Sequence, residues 1–170
     1  VLNLLINDPM YGNYFDEIYL FSVTGKSDDS FDALNLAPKN IITSNMISKL
    51  DTLMARQLKA VESKGTNKVK QVCILYEDLT ASKKLMNSDS FLESFCQNRH
   101  LSISSIACSH KYNALIRTCR LQAMHTWIFP CTDSEVKRII DEAQPPTLKK
   151  AEFIQLINYC FEPTPENTHP

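Results

Sequence analysis

Two adjacent carboxylates, Glu77 and Asp78, follow directly on the continuous apolar run Gln71-Val72-Cys73-Ile74-Leu75-Tyr76. Acids set against a buried segment are costly unless a cation or a proton-transfer task uses them. The chemistry that suits such a pair is cation binding or proton transfer. Taken alone, an apolar strand ending in two acids also describes an ordinary charged loop. Arg99 follows in Gln97-Asn98-Arg99-His100, and His110 closes Cys108-Ser109-His110. An arginine at a helix end is ordinarily a solvated cation favoured by the helix dipole, and a lone histidine at a strand end is ordinarily a satisfied polar residue. Each acquires a chemical role only from its neighbours.

One tempting motif fails on inspection. Thr24-Gly25-Lys26-Ser27 looks like the tail of a phosphate-binding loop, but GxxxxGK[ST] requires glycine at position 20, where Leu20 stands inside an apolar run. No helical pattern follows Ser27, and Asp28-Asp29-Ser30 would repel phosphate. Lys64, Lys68 and Lys70, and separately Lys83-Lys84, are basic clusters that could touch nucleic-acid phosphates. A solvated charged loop is the ordinary reading of each cluster and is preferred here, so no nucleic-acid contact is assigned to them.

The elements that must position these residues are legible along the chain. Val1-Leu2-Asn3-Leu4-Leu5-Ile6 reads as the body of a helix with no capping residue ahead of it, an expectation that residues are missing upstream. Pro9 and Gly12 mark a turn, and Glu17 to Val23 reads as a strand, followed by a polar loop from Thr24 to Asp32. A short strand spans Asn40 to Thr43. Ser44 is the expected cap of an amphipathic helix carrying Met46, Ile47, Leu50, Leu53, Met54, Leu58 and Val61. After a charged loop around Gly65, the strand ending in Glu77-Asp78 follows, then a helix from about Ser88 to Asn98 and a strand from Leu101 to Cys108. Met124 to Cys131 reads as a further strand centred on Trp127, Ile128 and Phe129. Two helices close the chain, one capped by Thr132 or Asp133 and one by Thr147. Strands apolar on both faces, alternating with helices, predict an α/β fold: a mainly parallel sheet with helices on both faces. Chemistry in such folds sits at the carboxyl ends of the strands.

At 170 residues and 44% hydrophobic content, one core of ordinary size is expected, over residues 1–160. The proline-punctuated stretch 161–170 reads as a tail or as the start of a truncated element. The net charge of −1 excludes the argument that a strongly basic protein binds nucleic acid by bulk charge. Six cysteines without a CxxC pair read as buried reduced thiols of an intracellular protein. No apolar stretch approaches the roughly 20 residues that span a bilayer, so no membrane partner is expected.

The succession resembles the poxvirus-type genome-packaging ATPases of large DNA viruses and virophages, within the FtsK–HerA division of P-loop NTPases. The resemblance covers nearly the whole chain. The family's leucine-rich helix after the Walker A loop is similar to Val1–Ile6, and its next strand to Ile18–Ser22. Its Walker B strand is similar to Val72–Asp78, and its arginine-finger motif "RH-L" to Arg99-His100-Leu101. A polar sensor, usually glutamine, is His110 here, and a later arginine before a "TH-hydrophobic" strand resembles Arg120 ahead of His125-Thr126-Trp127. The family's usual DD or DE is Glu77-Asp78 in this chain.

The resemblance implies a RecA-like P-loop fold whose first strand and Walker A loop lie upstream of Val1. It implies a hexameric or pentameric ring that hydrolyses ATP to drive double-stranded DNA into a preformed capsid, with capsid or portal-vertex proteins as partners and the host cytoplasm or a viral factory as location. Glu77 would hold Mg²⁺, Asp78 would position or deprotonate water, Arg99 would act across the subunit interface, and His110 would sense the γ-phosphate with support from Arg120. Two other readings stay open: a catalytically decayed structural or assembly subunit of the same fold, and a non-viral FtsK/HerA-like DNA translocase.

Overall fold

Four short runs with apolar residues on both faces pair into one parallel sheet. In the computed structural model, which describes residues 5–6, 11–25, 27–78, 82–143 and 145–162, these are β1 (Glu17–Phe21), β2 (Ile41–Ile42), β3 (Val72–Tyr76) and β4 (Ile103–Ala107). Their order is β2-β1-β3-β4, and every neighbouring pair is parallel. Leu20, Leu75 and Ile106 lie side by side, as do Phe21, Tyr76 and Ala107. All five residues of β3 are buried, which is why its sequence is continuously apolar rather than alternating. The expected α/β fold with a mainly parallel sheet is therefore present.

The two sheet faces are covered differently. Phe21, Ile74, Tyr76 and Ile103 face α1 (Met46–Lys64), α2 (Lys83–Met86), α3 (Asp89–Cys96) and α4 (Arg117–Gln122) in one apolar core. On the reverse face Leu20, Cys73 and Leu75 pack with Phe31, from a 3-10 helix at Asp29–Leu34, and with Leu5. Only Leu5 and Ile6 of the expected opening helix are described, and both are helical; the remainder lies outside the described residues.

Local chemistry explains where the helices begin and what they bury. In α1, Met46, Leu50, Leu53 and Met54 form the buried stripe, while Leu58 is exposed. The buried Gln57 takes over where the helix passes the sheet: its Nε2 donates to the carbonyls of Lys70 (3.0 Å) and Leu101 (3.2 Å), tying together the approaches to β3 and β4. The residue before α1 is Asn45 in the left-handed region (φ 51°), one position beyond the expected Ser44. Asparagine tolerates that backbone through its short polar side chain. Ser88 caps α3, its Oγ accepting from the Phe91 N–H at 3.2 Å.

The chain divides into two compact units, residues 1–110 with 114–123, and residues 111–113 with 124–170. The smaller unit contains α5 (Asp133–Ala143) and α6 (Lys150–Phe161), joined through buried Val136, Ile140 and Ile157. Tyr112 is bound to α5, its N–H donating to Glu135 at 2.9 Å and its hydroxyl to Glu142 at 3.3 Å. The cap of α6 is Lys149 rather than Thr147, and the Glu152 carboxylate accepts its N–H at 2.8 Å.

The strand expected over 124–131 is not formed. That segment is irregular, with Met124 and Phe129 exposed. Apolar and aromatic composition favours a strand only where a neighbouring strand receives its backbone groups, and no described strand pairs here. Instead the His125 and Trp127 rings stack at 6.0 Å. Residues 163–170 of the expected tail lie outside the described residues. Among the described residues, no helix is long and apolar enough to cross a membrane.

Candidate functional site

The parallel ladder extends one residue past the strands at their carboxyl ends, and this fixes the starts of three loops. The Ser22 N–H donates to Ile42 O (3.2 Å), the Glu77 N–H to Phe21 O (3.0 Å) and the Cys108 N–H to Tyr76 O (2.8 Å). Ser22, Glu77 and Cys108 consequently stand in a row across the carboxyl edge. Their support is rigid. Beneath Glu77, the fully buried Tyr76 ring packs on Phe21, Phe91 and Phe95 at centroid distances of 5.4, 4.9 and 6.0 Å. Its hydroxyl donates to Ser94 Oγ at 2.8 Å, which in turn donates to Phe91 O at 2.7 Å.

Glu77 and Asp78 are both half-buried. Burial pushes the Cys108 thiol up to about 12, and the neighbouring Glu77 carboxylate, to which the thiol donates, pushes in the same direction. Cys108 is therefore a neutral donor to a carboxylate, a partnership that adjacency in sequence could not reveal. Asp78 has φ 44°, a left-handed backbone uncommon for a residue with a side chain. Positive φ at a non-glycine residue collects at functional sites, where surrounding structure holds it.

His110 lies three residues past β4, exposed, at the same edge as the acids. Arg99 does not. It belongs to a 3-10 turn at Asn98–Leu101 that feeds the amino end of β4, and its N–H donates to Asn98 Oδ1 at 2.7 Å. A strand of five residues spans about 16 Å, so within one chain Arg99 is separated from Glu77 by the depth of the sheet. Arg120 lies on α4, where its guanidinium donates to the Leu115 carbonyl.

The rejected Thr24–Ser27 motif has a packing role. A Cβ on Gly25 would meet Leu20 Cδ2 at 3.0 Å and Ser22 Cβ at 3.2 Å, so glycine is needed for close approach to β1. The Ser27 hydroxyl donates to Thr24 O at 2.9 Å, and the 3-10 helix that follows is capped by Asp28. Lys26 lies outside the described residues.

At the opposite edge the sheet carries an ion cluster that local sequence reading missed. Glu17 accepts from Arg56 (2.7 Å), Lys70 (2.8 Å) and the Tyr19 hydroxyl (2.9 Å), and the Arg56 guanidinium lies 5.6 Å from the Tyr19 ring centre. Burial opposes the Glu17 charge, but the hydrogen bonds from Lys70, Tyr19 and Arg56 outweigh it and hold the carboxyl at about 2. Lys70, one of the basic-loop residues, is thus committed within the chain.

Among the described residues no group of three or more His, Cys, Asp and Glu side chains could hold a metal by itself. Magnesium characteristically takes one or two protein carboxylates and completes its shell with water and substrate phosphate. The Glu77–Asp78 pair fits that partial role. No family model matches the chain, and no curated protein or solved structure matches it.

Proposed function

We propose that this chain is the greater part of an ATPase domain of the FtsK–HerA type that drives double-stranded DNA into a viral capsid as a homo-oligomeric ring. The observation that carries the reading is the position of Glu77 and Asp78. They stand at the carboxyl end of the central, wholly buried strand of a parallel sheet, and Asp78 is held in a left-handed backbone. In open α/β sheets ligands bind outside the carboxyl ends of the strands.

Under this reading Glu77 supplies a carboxylate to Mg²⁺ bound with ATP, which neutralises charge on the β- and γ-phosphates. Asp78 orients the attacking water, and His110 stands at the same edge as the sensor of the γ-phosphate, with Arg120 further along the chain. Arg99 serves a neighbouring subunit's nucleotide, a role compatible with an exposed turn at the far end of the sheet. The Walker A loop is the part that the resemblance places ahead of Val1. β4 has one strand partner among the described residues, which leaves its other side open to a further strand.

The test is DNA-stimulated ATP hydrolysis by the protein encoded by the whole gene. Asp78→Ala is expected to abolish turnover, and Arg99→Ala to reduce it by roughly 10³ or more. Mixing the two variants is expected to restore part of the activity, because a ring would contain interfaces with one intact Asp78 and one intact Arg99. A whole-gene protein without ATP turnover, or an Asp78→Ala variant with full turnover, would refute the proposal. One observation favours a structural subunit of the same fold: the Cys108 thiol already occupies part of Glu77's hydrogen-bonding capacity.

A further inference from the structure

α3 and α4 pack against one another on the sheet face that carries Phe21, Ile74 and Tyr76. Helical spacing brings one cysteine of each to that seam. In α3, Leu92 is packed on the shared core, and Cys96, one turn further on and the last residue of the helix, falls on the same side. Leu115 and Ile116 are packed on the same core at the entry to α4, where the Ile116 carbonyl accepts the Arg120 N–H at 3.2 Å. Cys119 follows Ile116 by three positions and belongs to that core itself.

The two thiols are neighbours that differ in access. Cys96 is exposed, whereas Cys119 is 1% exposed. Burial first, and then the charge of the adjacent Cys96, push the Cys119 thiol up to about 11, with Arg120 opposing. The other cysteines are placed differently. Cys73 is buried on the reverse face of the sheet, Cys108 donates to Glu77, and Cys131 and Cys160 belong to the smaller unit.

We propose that Cys96 and Cys119 are an oxidation-sensitive pair that closes to a disulfide when hydrogen peroxide reaches Cys96. The Cys96 thiolate attacks one peroxide oxygen, the O–O bond breaks, and hydroxide leaves to take up the proton that Cys96 gave up, forming a sulfenic acid and one water. The Cys119 sulfur then attacks the Cys96 sulfur. The S–O bond breaks, and the departing hydroxide takes the Cys119 proton as a second water. The two thiols lose two electrons, which the peroxide gains. Cys119 is enclosed and protonated, so the second step is the slower one. The bridge closes residues 97–118 into a loop that contains β4, Cys108 and His110, and it staples α3 to α4. This device does not depend on the function proposed for the Glu77–Asp78 edge.

The experiment treats the folded full chain with a small excess of hydrogen peroxide, blocks the remaining thiols in denaturant with iodoacetamide, and maps the tryptic peptides without reduction. Cleavage after lysine and arginine separates the relevant cysteines: Cys96 lies in Leu85–Arg99, Cys108 in His100–Lys111 and Cys119 in Thr118–Arg120. The expected product is Leu85–Arg99 joined to Thr118–Arg120, with Cys108 recovered alkylated and the link lost on treatment with dithiothreitol. Cys131→Ser/Cys160→Ser, at two exposed positions of the smaller unit, is expected to form the same link. Cys96→Ser, also at an exposed position, is expected to leave Cys119 alkylated. The bridged protein is expected to unfold about 5 °C higher than the reduced one. Cys96 recovered as a sulfinic acid or as a dimer of two chains, a link from Cys96 to Cys108, or a link to Cys119 that forms only in denaturant would overturn the proposal. A bridge that leaves the unfolding midpoint unchanged or lowers it would overturn its role as a staple.

Discussion

Glu17→Gln is expected to destabilise the larger unit at neutral pH and to have no effect in strong acid. Glu17 is the shared acceptor of Arg56, Lys70 and Tyr19, with 18% of its side chain exposed. Its pKa falls from 4.5 to about 2, which in a fully shielded site would correspond to roughly 3 kcal/mol of folding free energy. The cations are well solvated, Arg56 at 45% and Lys70 at 64% exposure, so screening reduces the effect to about 1 kcal/mol. The sign follows from the direction of the shift. A carboxyl with a depressed folded-state pKa contributes fully above its ordinary value of 4.5, and that contribution is lost as the pH falls from 4.5 through about 2. Urea denaturation of both proteins by far-ultraviolet circular dichroism, at a series of pH values, measures the gap directly. Fluorescence would mislead, because the single tryptophan, Trp127, belongs to the smaller unit. Equal stabilities at pH 7, or a gap that persists undiminished near pH 2, would refute the reasoning.

Gly25→Ala is expected to lower stability by about 1–2 kcal/mol, since the added methyl has to displace Leu20 Cδ2 or Ser22 Cβ from closely packed positions; thermal unfolding checks it. Thiol labelling at pH 7.5 is expected to modify the exposed Cys96, Cys131 and Cys160 first, with Cys73 unreactive until unfolding, because burial raises its thiol to about 12. Cys108 is expected to label slowly and to speed up severalfold in Glu77→Gln, which removes a negative charge beside the thiol; mass spectrometry of the labelled peptides reads both rates.

What the sequence disclosed, and what it hid, divides along the range of the interactions involved. β3 was legible because burial on both faces leaves no room for a polar residue between Val72 and Tyr76, and the amphipathic period of α1 was legible from Met46 to Met54. The row of loop starts at the carboxyl edge followed from the parallel order. Trp127, Ile128 and Phe129 misled because strand formation depends on a partner that composition does not reveal. The Glu17 cluster was hidden for a related reason: Arg56 and Lys70 lie 39 and 53 residues away. Asn40 looked like the start of a strand; its hydrogen bond to the Ile18 carbonyl, 22 residues away, emerged only in the fold.

The pairing of β1 with β3 has a consequence for how the chain acquires its shape. Contacts such as that between Asp16 and Gln71 close a span of 55 residues, the central seam of the sheet. Loop-closure entropy rises with span, and parallel pairings are intrinsically slow to form. β3 and β4, joined through α2 and α3 over a shorter span, form the earlier nucleus, and β1 waits on them. Pulse-labelled hydrogen exchange during refolding would show this as protection of the Ile74 and Ile106 amides before that of Tyr19; simultaneous protection would mean that the seam closes in one step. During synthesis the same geometry leaves β1 outside the ribosome, without its principal partner, until β3 has emerged.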